Sequence, residues 1–290
     1  MSRPRETTSW LRERIAAGPV LIVPGAANAI SARVIEDTGF EAVYVSGAGI
    51  ANTFHGTPDI GLVTLSELAA HVAAIRDVVD LPLLVDADTG FGNAVGVART
   101  TRVLERAGAD AIQIEDQQAP KRCGHFEGKR LISSGEMVQK VHAALDSRDG
   151  DLIVIARTDA RASEGLEAAI ERANAYVEAG ADVAFVEAPE SMDEVRTLLE
   201  RVAAPQLINL VEGGRTPLVP VEELSGFRIA LFANIALQGA LYGMARVLAE
   251  LKSERAITPA MTSMIAGWRE RQRLVRKPEF DELDRRYESP

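Results

Sequence analysis

Eight short apolar runs recur along the chain, and segments with helical periodicity separate most of them. The runs are nearly continuous in apolar residues, which is typical of strands buried on both faces of a parallel sheet. They lie at residues 20–24, 42–46, 83–88, 111–116, 152–158, 183–187, 206–211 and 229–234. This pattern constrains the fold more than any other feature of the sequence.

The segments between these runs carry the apolar spacing of amphipathic helices. Helices are predicted at residues 29–37, 65–78, 94–107, 135–147, 167–179 and 192–202, with a short segment at 220–224. Thr64 or Ser66 can cap the second helix, and Gly108 and Gly180 follow two others, as helix ends prefer. Eight such repeats predict a (β/α)8 barrel, with residues 1–290 as one domain.

More helix is predicted at the two termini than one barrel needs. A leading helix is predicted at residues 9–17, and further helices at 238–252 and 259–273 precede a charged tail. We therefore expect residues 235–290 to form a helical extension that is used in oligomerisation.

The main alternative to a barrel is a doubly wound open sheet that binds a dinucleotide. Such a sheet usually carries a Gly-x-Gly-x-x-Gly turn after its first strand. The nearest match here begins at Gly47, follows the second strand, and has Asn52 in place of the third glycine. The sequence therefore favours the barrel.

Composition excludes several classes of protein. Acidic residues number 42 and basic residues 32, so the net charge is −10, which argues against a nucleic-acid-binding protein. One cysteine permits no intramolecular disulfide and makes a cysteine-based zinc site implausible. The sequence has no apolar run of about 18 residues and no signal-peptide pattern. We therefore expect no membrane partner and a location in the cytoplasm.

Acidic residues collect where the predicted strands end, the edge on which barrel enzymes build their sites. Asp86 and Asp88 are two residues apart on one strand, a spacing that predicts both side chains on the same side of it, and Glu115 ends the next strand. Carboxylates with no His or Cys nearby favour Mg²⁺ or Mn²⁺ over zinc. Asp59, in a turn, is a candidate further ligand acting through water. The alternatives are solvated carboxylates at a strand end and a simple turn aspartate.

Arg157 follows the fifth apolar run and is predicted to point into the same mouth. A guanidinium is a natural clamp for a substrate carboxylate or phosphate. The alternative is an ion pair with a neighbouring acid such as Glu187, and both can hold at once.

A long polar loop over residues 117–130 is a candidate lid. It contains Cys123, which is flanked by Lys121, Arg122 and His125. A lone cysteine is usually a small buried apolar residue. Positive neighbours instead lower the pKa of a thiol and make it available as an acid, base or nucleophile. We therefore favour a catalytic role for Cys123, with His125 as its partner or as a substrate ligand.

Together these residues resemble the isocitrate lyase and phosphoenolpyruvate mutase superfamily over about residues 18 to 250. The loop Lys121-Arg122-Cys123-Gly124-His125 is similar to the lyase signature of that superfamily. Further matching segments are Ser46-Gly47-Ala48-Gly49, Pro58-Asp59, Asp86-Ala87-Asp88-Thr89-Gly90-Phe91-Gly92, Glu115-Asp116-Gln117, Ala156-Arg157-Thr158-Asp159-Ala160 and Glu212-Gly213-Gly214-Arg215-Thr216-Pro217.

The resemblance implies a barrel whose last helix is exchanged between subunits, in a homotetramer built from two dimers. It also implies Mg²⁺ or Mn²⁺, with Asp86 as the direct ligand and Asp59, Asp88 and Glu115 acting mainly through water. The residues that would hold substrate carboxylates are Ser46, Gly47, Ala48, Gly124, His125, Arg157, Asn209, Glu212, Thr216 and Pro217.

The predicted function is cleavage of a C–C bond in a 2-hydroxy dicarboxylate or tricarboxylate, like methylisocitrate or dimethylmalate. In this retro-aldol step Glu187 or a metal-linked carboxylate is the base, and Cys123 protonates the carbanion. Arg157, Arg122 and the metal would stabilise the developing charge. The segment Phe126-Glu127-Gly128-Lys129 resembles the dimethylmalate lyase and carboxyphosphonoenolpyruvate mutase types. Both this segment and Val211-Glu212-Gly213-Gly214 depart from bacterial methylisocitrate lyases.

Three other functions stay open. One is P–C bond formation by a carboxyphosphonoenolpyruvate mutase, and another is hydrolysis or decarboxylation of oxaloacetate. The third is a barrel that only binds dicarboxylates, which would show ligand-induced stabilisation without turnover.

Overall fold

The computed structural model describes residues 4–122 and 128–288, with side chains from residue 6 onward. Eight parallel strands pair in chain order and close into a barrel, with β8 against β1. The strands are β1 Leu21–Ala26, β2 Val43–Val45, β3 Leu83–Asp86, β4 Ala111–Glu115, β5 Ile153–Thr158, β6 Val183–Val186, β7 Gln206–Asn209 and β8 Ile229–Phe232. Each predicted apolar run contributes one strand, so the predicted (β/α)8 barrel is confirmed.

Helices cover the outside of the barrel and extend both ends of the chain. They are α1 Pro4–Ala16, α2 Ala29–Asp37, α3 Gly47–Ile50, α4 Leu65–Arg76, α5 Ala94–Ala107, α6 Ser134–Ser147, α7 Ala160–Ser163, α8 Leu166–Glu178, α9 Met192–Arg201, α10 Ile235–Glu254, α11 Pro259–Thr262, α12 Trp268–Leu274 and α13 Lys277–Tyr287. A π-helical turn at Ala51–His55 follows α3, and a 3-10 turn at Val221–Leu224 precedes β8.

The prediction of one continuous helix at 259–273 is wrong. The chain forms α11 and α12 instead, because Gly267 takes an extended conformation and begins a new helix. The charged tail, which was predicted only as part of the helical extension at 235–290, forms the separate helix α13. The cap at Thr64 is confirmed, since its hydroxyl accepts a hydrogen bond from the amide of Glu67. Gly108 ends α5 at a φ of 107°, which glycine adopts without strain.

Apolar side chains fill the inside of the barrel, and α1 closes its amino end. Leu11 and Ile15 of α1 are buried in one cluster with Leu21, Leu84 and Ile229 from the strands. This cluster continues up to Tyr44 and Phe185, nearer the carboxyl end. The barrel is therefore a packed core with a helix as its floor.

A buried carboxylate ties α1 to the barrel at this floor. Asp110, just before β4, accepts hydrogen bonds on Oδ1 from the hydroxyls of Thr7 and Thr8, at 2.5 and 2.7 Å. Its Oδ2 accepts from Nη2 of Arg76 at 2.6 Å and from the amide of Leu83 at 2.8 Å. We call these five residues the amino-end cluster.

The last barrel helix, α10, has no buried residue, unlike the helices that precede it in the chain. The helices after it return across α2, where Arg273 pairs with Asp37 at 2.6 Å and Arg276 with Glu36 at 3.0 Å. None of the helices in the described ranges combines the length and apolar character needed to cross a bilayer.

Candidate active site

A small cavity of about 40 Å³ lies at the carboxyl ends of the strands. It is lined by Tyr44, Ser46, Ala48, Asp59, Asp86, Lys121, Arg157, Glu187, Asn209, Val211, Leu231, Ala233 and Asn234. Many of these are polar residues predicted for the site. A larger cleft of about 610 Å³ lies near the amino end, between the last turns of α5 and α6. The buried charges converge on the smaller cavity, so chemistry and not volume identifies the candidate site.

Asp86 and Asp88 converge on the space next to Gly47. A Cβ placed on Gly47 would lie 3.3 Å from both Oδ2 of Asp86 and Oδ1 of Asp88. Strand alternation is not the cause, because β3 ends at Asp86 and Asp88 lies beyond it with a φ of 48°. The amide of Asp88 turns back and donates to Oδ1 of Asp86 at 3.2 Å. A left-handed turn, which aspartate tolerates, therefore brings the two carboxylates together.

Lys121 lies within this acidic group. Its Nζ is 2.6 Å from Oδ1 of Asp59 and 2.8 Å from Oδ1 of Asp88, and its side chain is 6% exposed. Burial disfavours the charged amine, but the carboxylates of Asp88, Asp86 and Glu115 outweigh burial and raise the pKa of Lys121 well above its ordinary value. Lys121 is therefore a permanent cation of the site.

The acids exceed the cations that face them on this side of the mouth. Burial raises the pKa of Asp88 to about 7, with Asp86 and Asp59 adding to the rise and Lys121 opposing it. Burial likewise raises the pKa of Glu115 well above its ordinary value, although Arg157 opposes the change. Further positive charge at this point would stabilise the ionised carboxylates.

These residues fit a divalent cation that keeps part of its water shell. In the described part of the chain, no three His, Cys, Asp or Glu side chains are placed to hold one metal ion together. The donors are nevertheless all oxygen, and Oε1 of Glu115 is buried with no hydrogen-bond partner among those residues. Mg²⁺ commonly takes one or two carboxylates and completes its shell with water. The space at Gly47, between Asp86 and Asp88, meets that requirement.

Arg157 is the main cation on the opposite side of the cavity. Its Nε and Nη2 bind the two oxygens of Asp159 at 2.9 and 3.0 Å, a bidentate contact. Its Nη1 lies 3.1 Å from Oε2 of Glu187, and its Nε lies 3.4 Å from Oε2 of Glu115. The ion pair with Glu187, which the sequence left open, is therefore present. Asp159 holds one edge of the guanidinium, and Nη1 lies on the side of Glu187.

Tyr44 and Gln113 belong to the site but were not predicted from the sequence. The Tyr44 hydroxyl donates to Oε1 of Gln113 at 2.9 Å, and Nε2 of Gln113 donates to Oδ1 of Asp86 at 3.2 Å. Each lies two residues before a predicted site residue, Ser46 for Tyr44 and Glu115 for Gln113. A glutamine inside an apolar run was the signal available in the sequence.

Ser46, Gly47, Ala48 and Asn209 lie at the mouth as expected. Ser46 caps α3 by accepting a hydrogen bond from the amide of Gly49 at 3.0 Å, and Asn209 lies 3.5 Å from Glu187 through Nδ2.

The connection between β7 and β8 contributes less than expected. Glu212 is exposed, Pro217 is half-buried and Thr216 is buried, and the described structure does not bring them to the cavity wall. Arg122 is exposed, and its amide donates to Oε1 of Gln117 at 2.9 Å. The predicted residues Cys123, Gly124 and His125 lie outside the described residues.

The barrel gathers buried acids and an arginine at the carboxyl ends of its strands, which is the edge on which barrel enzymes build their active sites. The family model for phosphoenolpyruvate phosphomutase matches residues 11–252 of this chain. The chain therefore belongs to the phosphoenolpyruvate phosphomutase family, and the resemblance described above is confirmed.

Two characterised relatives are lyases. The chain is 49% identical over 243 residues to 2-methylisocitrate lyase of Aeropyrum pernix, covering 83% of this chain and 78% of the relative. It is 42% identical over 262 residues to 2,3-dimethylmalate lyase of Eubacterium barkeri, covering 89% of this chain and 91% of the relative.

Two solved structures extend the comparison. Oxaloacetate acetylhydrolase in complex with 3,3-difluorooxalacetate has a TM-score of 0.84 and 32% identity, covering 91% of this chain and 94% of that chain. Phosphonopyruvate hydrolase in complex with oxalate and Mg²⁺ has a TM-score of 0.87 and 28% identity, covering 97% of this chain and 99% of that chain.

Proposed function

We propose that this chain is a C–C lyase for a 2-hydroxy dicarboxylate or tricarboxylate of the 2-methylisocitrate or 2,3-dimethylmalate type. The observation that carries the proposal is that Arg157 and Asp86 line one cavity at the carboxyl end of the barrel. A carboxylate clamp and a cation site are the two elements that such a substrate requires. The two lyase relatives support this reaction class.

The cation site would hold Mg²⁺ or Mn²⁺, with Asp86 as the direct ligand and Asp88, Glu115 and Asp59 acting through water. When bound, the ion supplies a Lewis acid for the substrate hydroxyl and its neighbouring carboxylate. The oxygen donors and the surplus negative charge at Gly47 support this assignment. The Mg²⁺ in the phosphonopyruvate hydrolase complex is consistent with it.

Residues of this chain would bind the substrate, take its hydroxyl proton and stabilise the charge that develops. Arg157 binds a substrate carboxylate, while Ser46 and Asn209 orient the polar groups beside it. Glu187, 3.1 Å from Arg157, takes the hydroxyl proton. The hydroxyl oxygen then becomes the carbonyl of an α-keto acid as the C–C bond breaks, and the bonding electrons leave with the second fragment. Arg157 and Arg122 would stabilise the enolate-like charge on that fragment.

Cys123 would complete the reaction by giving its thiol proton to the carbanion. The motif Lys121-Arg122-Cys123-Gly124-His125 supports this role, because it flanks the thiol with basic residues. His125 would return a proton to the thiolate between turnovers.

The deciding experiment is a substrate screen with Mg²⁺ present. We expect pyruvate to be released from 2-methylisocitrate or 2,3-dimethylmalate, and EDTA to abolish that release. Cys123→Ser should lower turnover by about 10² to 10⁴-fold, the range for a lost general acid, without lowering the Tm. Near-normal turnover of Cys123→Ser would show that the acid is another group, and an EDTA-insensitive rate would exclude the metal.

Oxaloacetate hydrolysis is the second candidate. The structural similarity to oxaloacetate acetylhydrolase, at 32% identity, favours it specifically. The same screen separates the two reactions, because hydrolysis releases oxalate and acetate from oxaloacetate. Oxalate release that is faster than pyruvate release from either hydroxy acid would replace the lyase proposal.

We also propose that residues 235–290 assemble the protein by exchanging α10 between copies, within a homotetramer. The apolar residues Leu241, Leu248 and Leu251 of α10 are exposed by 53, 62 and 40%. Ile22 of β1 is 37% exposed, although a barrel strand is normally covered by a helix. Each surface is therefore suited to cover the other in a second copy.

Sedimentation velocity tests this assembly. The double variant Leu241→Asp and Leu248→Asp should dissociate the oligomer, whereas Val95→Asp, at an exposed apolar residue on α5, should not. Unchanged sedimentation of the double variant would exclude α10 from the interface.

A further inference from the structure

Lys129 is a lysine with a buried side chain, and the proposed reaction assigns it no role. It lies in the connection between β4 and α6, and its side chain is 3% exposed. Its Nζ donates to Oδ1 of Asp159 at 2.9 Å, and the Asp159 side chain is fully buried. Burying an ammonium is costly unless a carboxylate compensates for the lost hydration. Asp159 therefore compensates for the burial of the Lys129 ammonium group.

Asp159 also holds Arg157. Its Oδ1 receives both Lys129 and Nη2 of Arg157, at 2.9 and 3.0 Å, while its Oδ2 receives Nε of Arg157 at 2.9 Å. A bidentate contact fixes the plane of the guanidinium as well as its distance. Whatever fixes the Asp159 carboxylate therefore also sets the direction in which Nη1 of Arg157 points.

We propose that Lys129 is a positioning residue that acts through Asp159 to orient Arg157 toward the substrate carboxylate. The inference rests on the proposed function, in which Arg157 is that clamp. Lys129 also shares the negative charge of Asp159, so Arg157 does not neutralise it alone. Without Lys129, Asp159 pairs more strongly with Arg157 and can rotate, and less of the guanidinium charge is directed at the substrate.

The test compares Lys129→Met with Lys129→Arg in the full-length protein with Mg²⁺ present. Kinetics on the cleaved hydroxy acid give KM and kcat, and calorimetry gives the Kd of oxalate, a small dicarboxylate probe. We expect Lys129→Met to raise KM and the oxalate Kd about tenfold, because both constants report how well Arg157 binds a carboxylate. Lys129→Arg, which keeps the charge, should return both constants to within about threefold of wild type.

Arg76→Met is the matched control, because it also removes a cation from a buried aspartate, at the other end of the barrel. It should lower the Tm and leave KM and the oxalate Kd unchanged. A Lys129→Met variant with wild-type constants and only a lower Tm, like the control, would overturn the proposal. So would a Lys129→Arg variant as impaired in binding as Lys129→Met.

The test still gives a result if the Lys129→Met variant does not fold or if the wild type is inactive. If Lys129→Met does not fold, Lys129→Gln takes its place, because it removes the charge and keeps a hydrogen-bond donor. If the wild type cleaves no hydroxy acid, the proposed function fails, and the oxalate Kd still decides the role of Lys129. Equal oxalate affinity in the wild type and the uncharged variant then overturns the positioning role.

Discussion

Two buried carboxylates, Asp110 at the amino end of the barrel and Glu115 at the carboxyl end, lie in opposite surroundings. At the amino end, Asp110 receives two donors on each oxygen, and Arg76 supplies the compensating charge. At the carboxyl end, the acidic side chains outnumber the cations that face them. Glu115 and Asn209 each keep a buried oxygen with no hydrogen-bond partner in the described part of the chain. Thr216, in the nearby β7–β8 connection, likewise has a buried hydroxyl without such a partner.

This difference separates a structural polar cluster from a functional one. A buried group that is fully paired within the protein stabilises the fold, and a ligand would have nothing to add. A buried group that is left incompletely paired costs free energy of folding, and a ligand that pairs with it recovers that cost. The amino-end cluster is thus expected to govern stability, and the carboxyl-end site to govern activity.

The largest effect is expected from Asp86→Asn at the carboxyl end. We expect kcat/KM to fall by about 10³-fold, because the variant removes the proposed direct metal ligand and one charge at the point of reaction. The Tm should stay the same or rise, since one of several repelling acids is lost. Steady-state kinetics measures the change in kcat/KM, and calorimetry measures the change in Tm. A variant that keeps a tenth of the activity would contradict the assignment.

The same substitution at the amino end, Asp110→Asn, should give the reverse result. It leaves the buried guanidinium of Arg76 without its charge partner, which typically costs about 3 to 5 kcal/mol. We expect urea unfolding to show this loss, with kcat/KM within about twofold of wild type. An activity loss as large as that of Asp86→Asn would mean that the two ends are coupled.

The smallest effect is the pH dependence of stability. Burial would raise the pKa of Asp159, but Arg157 and Lys129 outweigh it and lower the pKa to about 2. A depressed folded-state pKa contributes stability above the unfolded value near 4, and that contribution is lost as the pH falls toward 2. The linkage amounts to about 2 kcal/mol.

Asp110 should make stability depend on pH in the opposite direction, because burial raises the pKa of Asp110 despite Arg76. The native state then keeps a proton that the unfolded state has lost, so stability falls as the pH rises from about 4 through the folded-state pKa. Urea unfolding between pH 2 and 7 of the wild type, Asp159→Asn and Asp110→Asn measures both slopes. Parallel profiles for the two variants would contradict these opposite signs.

The sequence predicted most of the fold because burial on both faces leaves a strong signature. Every predicted apolar run became a strand, and the ends of α2 and α5 were predicted to the residue. The break at Gly267 was missed because apolar spacing continues across it. The helix α13 was not predicted as a separate helix because its many charged residues obscure the helical spacing of Phe280, Leu283 and Tyr287.

The sequence predicted which residues lie at the site better than it predicted how they are arranged. Strand alternation was the expected reason for the Asp86 and Asp88 pair, but the left-handed turn at Asp88 is the actual one. The contact of Lys121 with Asp59 joins residues far apart in the chain, and no local pattern encodes it. Tyr44 was not predicted for the same reason, since its partner Gln113 lies on β4.

The floor that α1 forms has a kinetic consequence. Because Leu11, Ile15 and the strand side chains above them close the amino end, the described residues make the site a blind pocket that opens at the carboxyl end. The two fragments of a cleaved substrate cannot pass each other in such a pocket, so the outer fragment leaves first. The inner fragment leaves last and is the product that competes directly with substrate for the free enzyme. The pattern of product inhibition therefore reports which fragment lies deeper in the barrel.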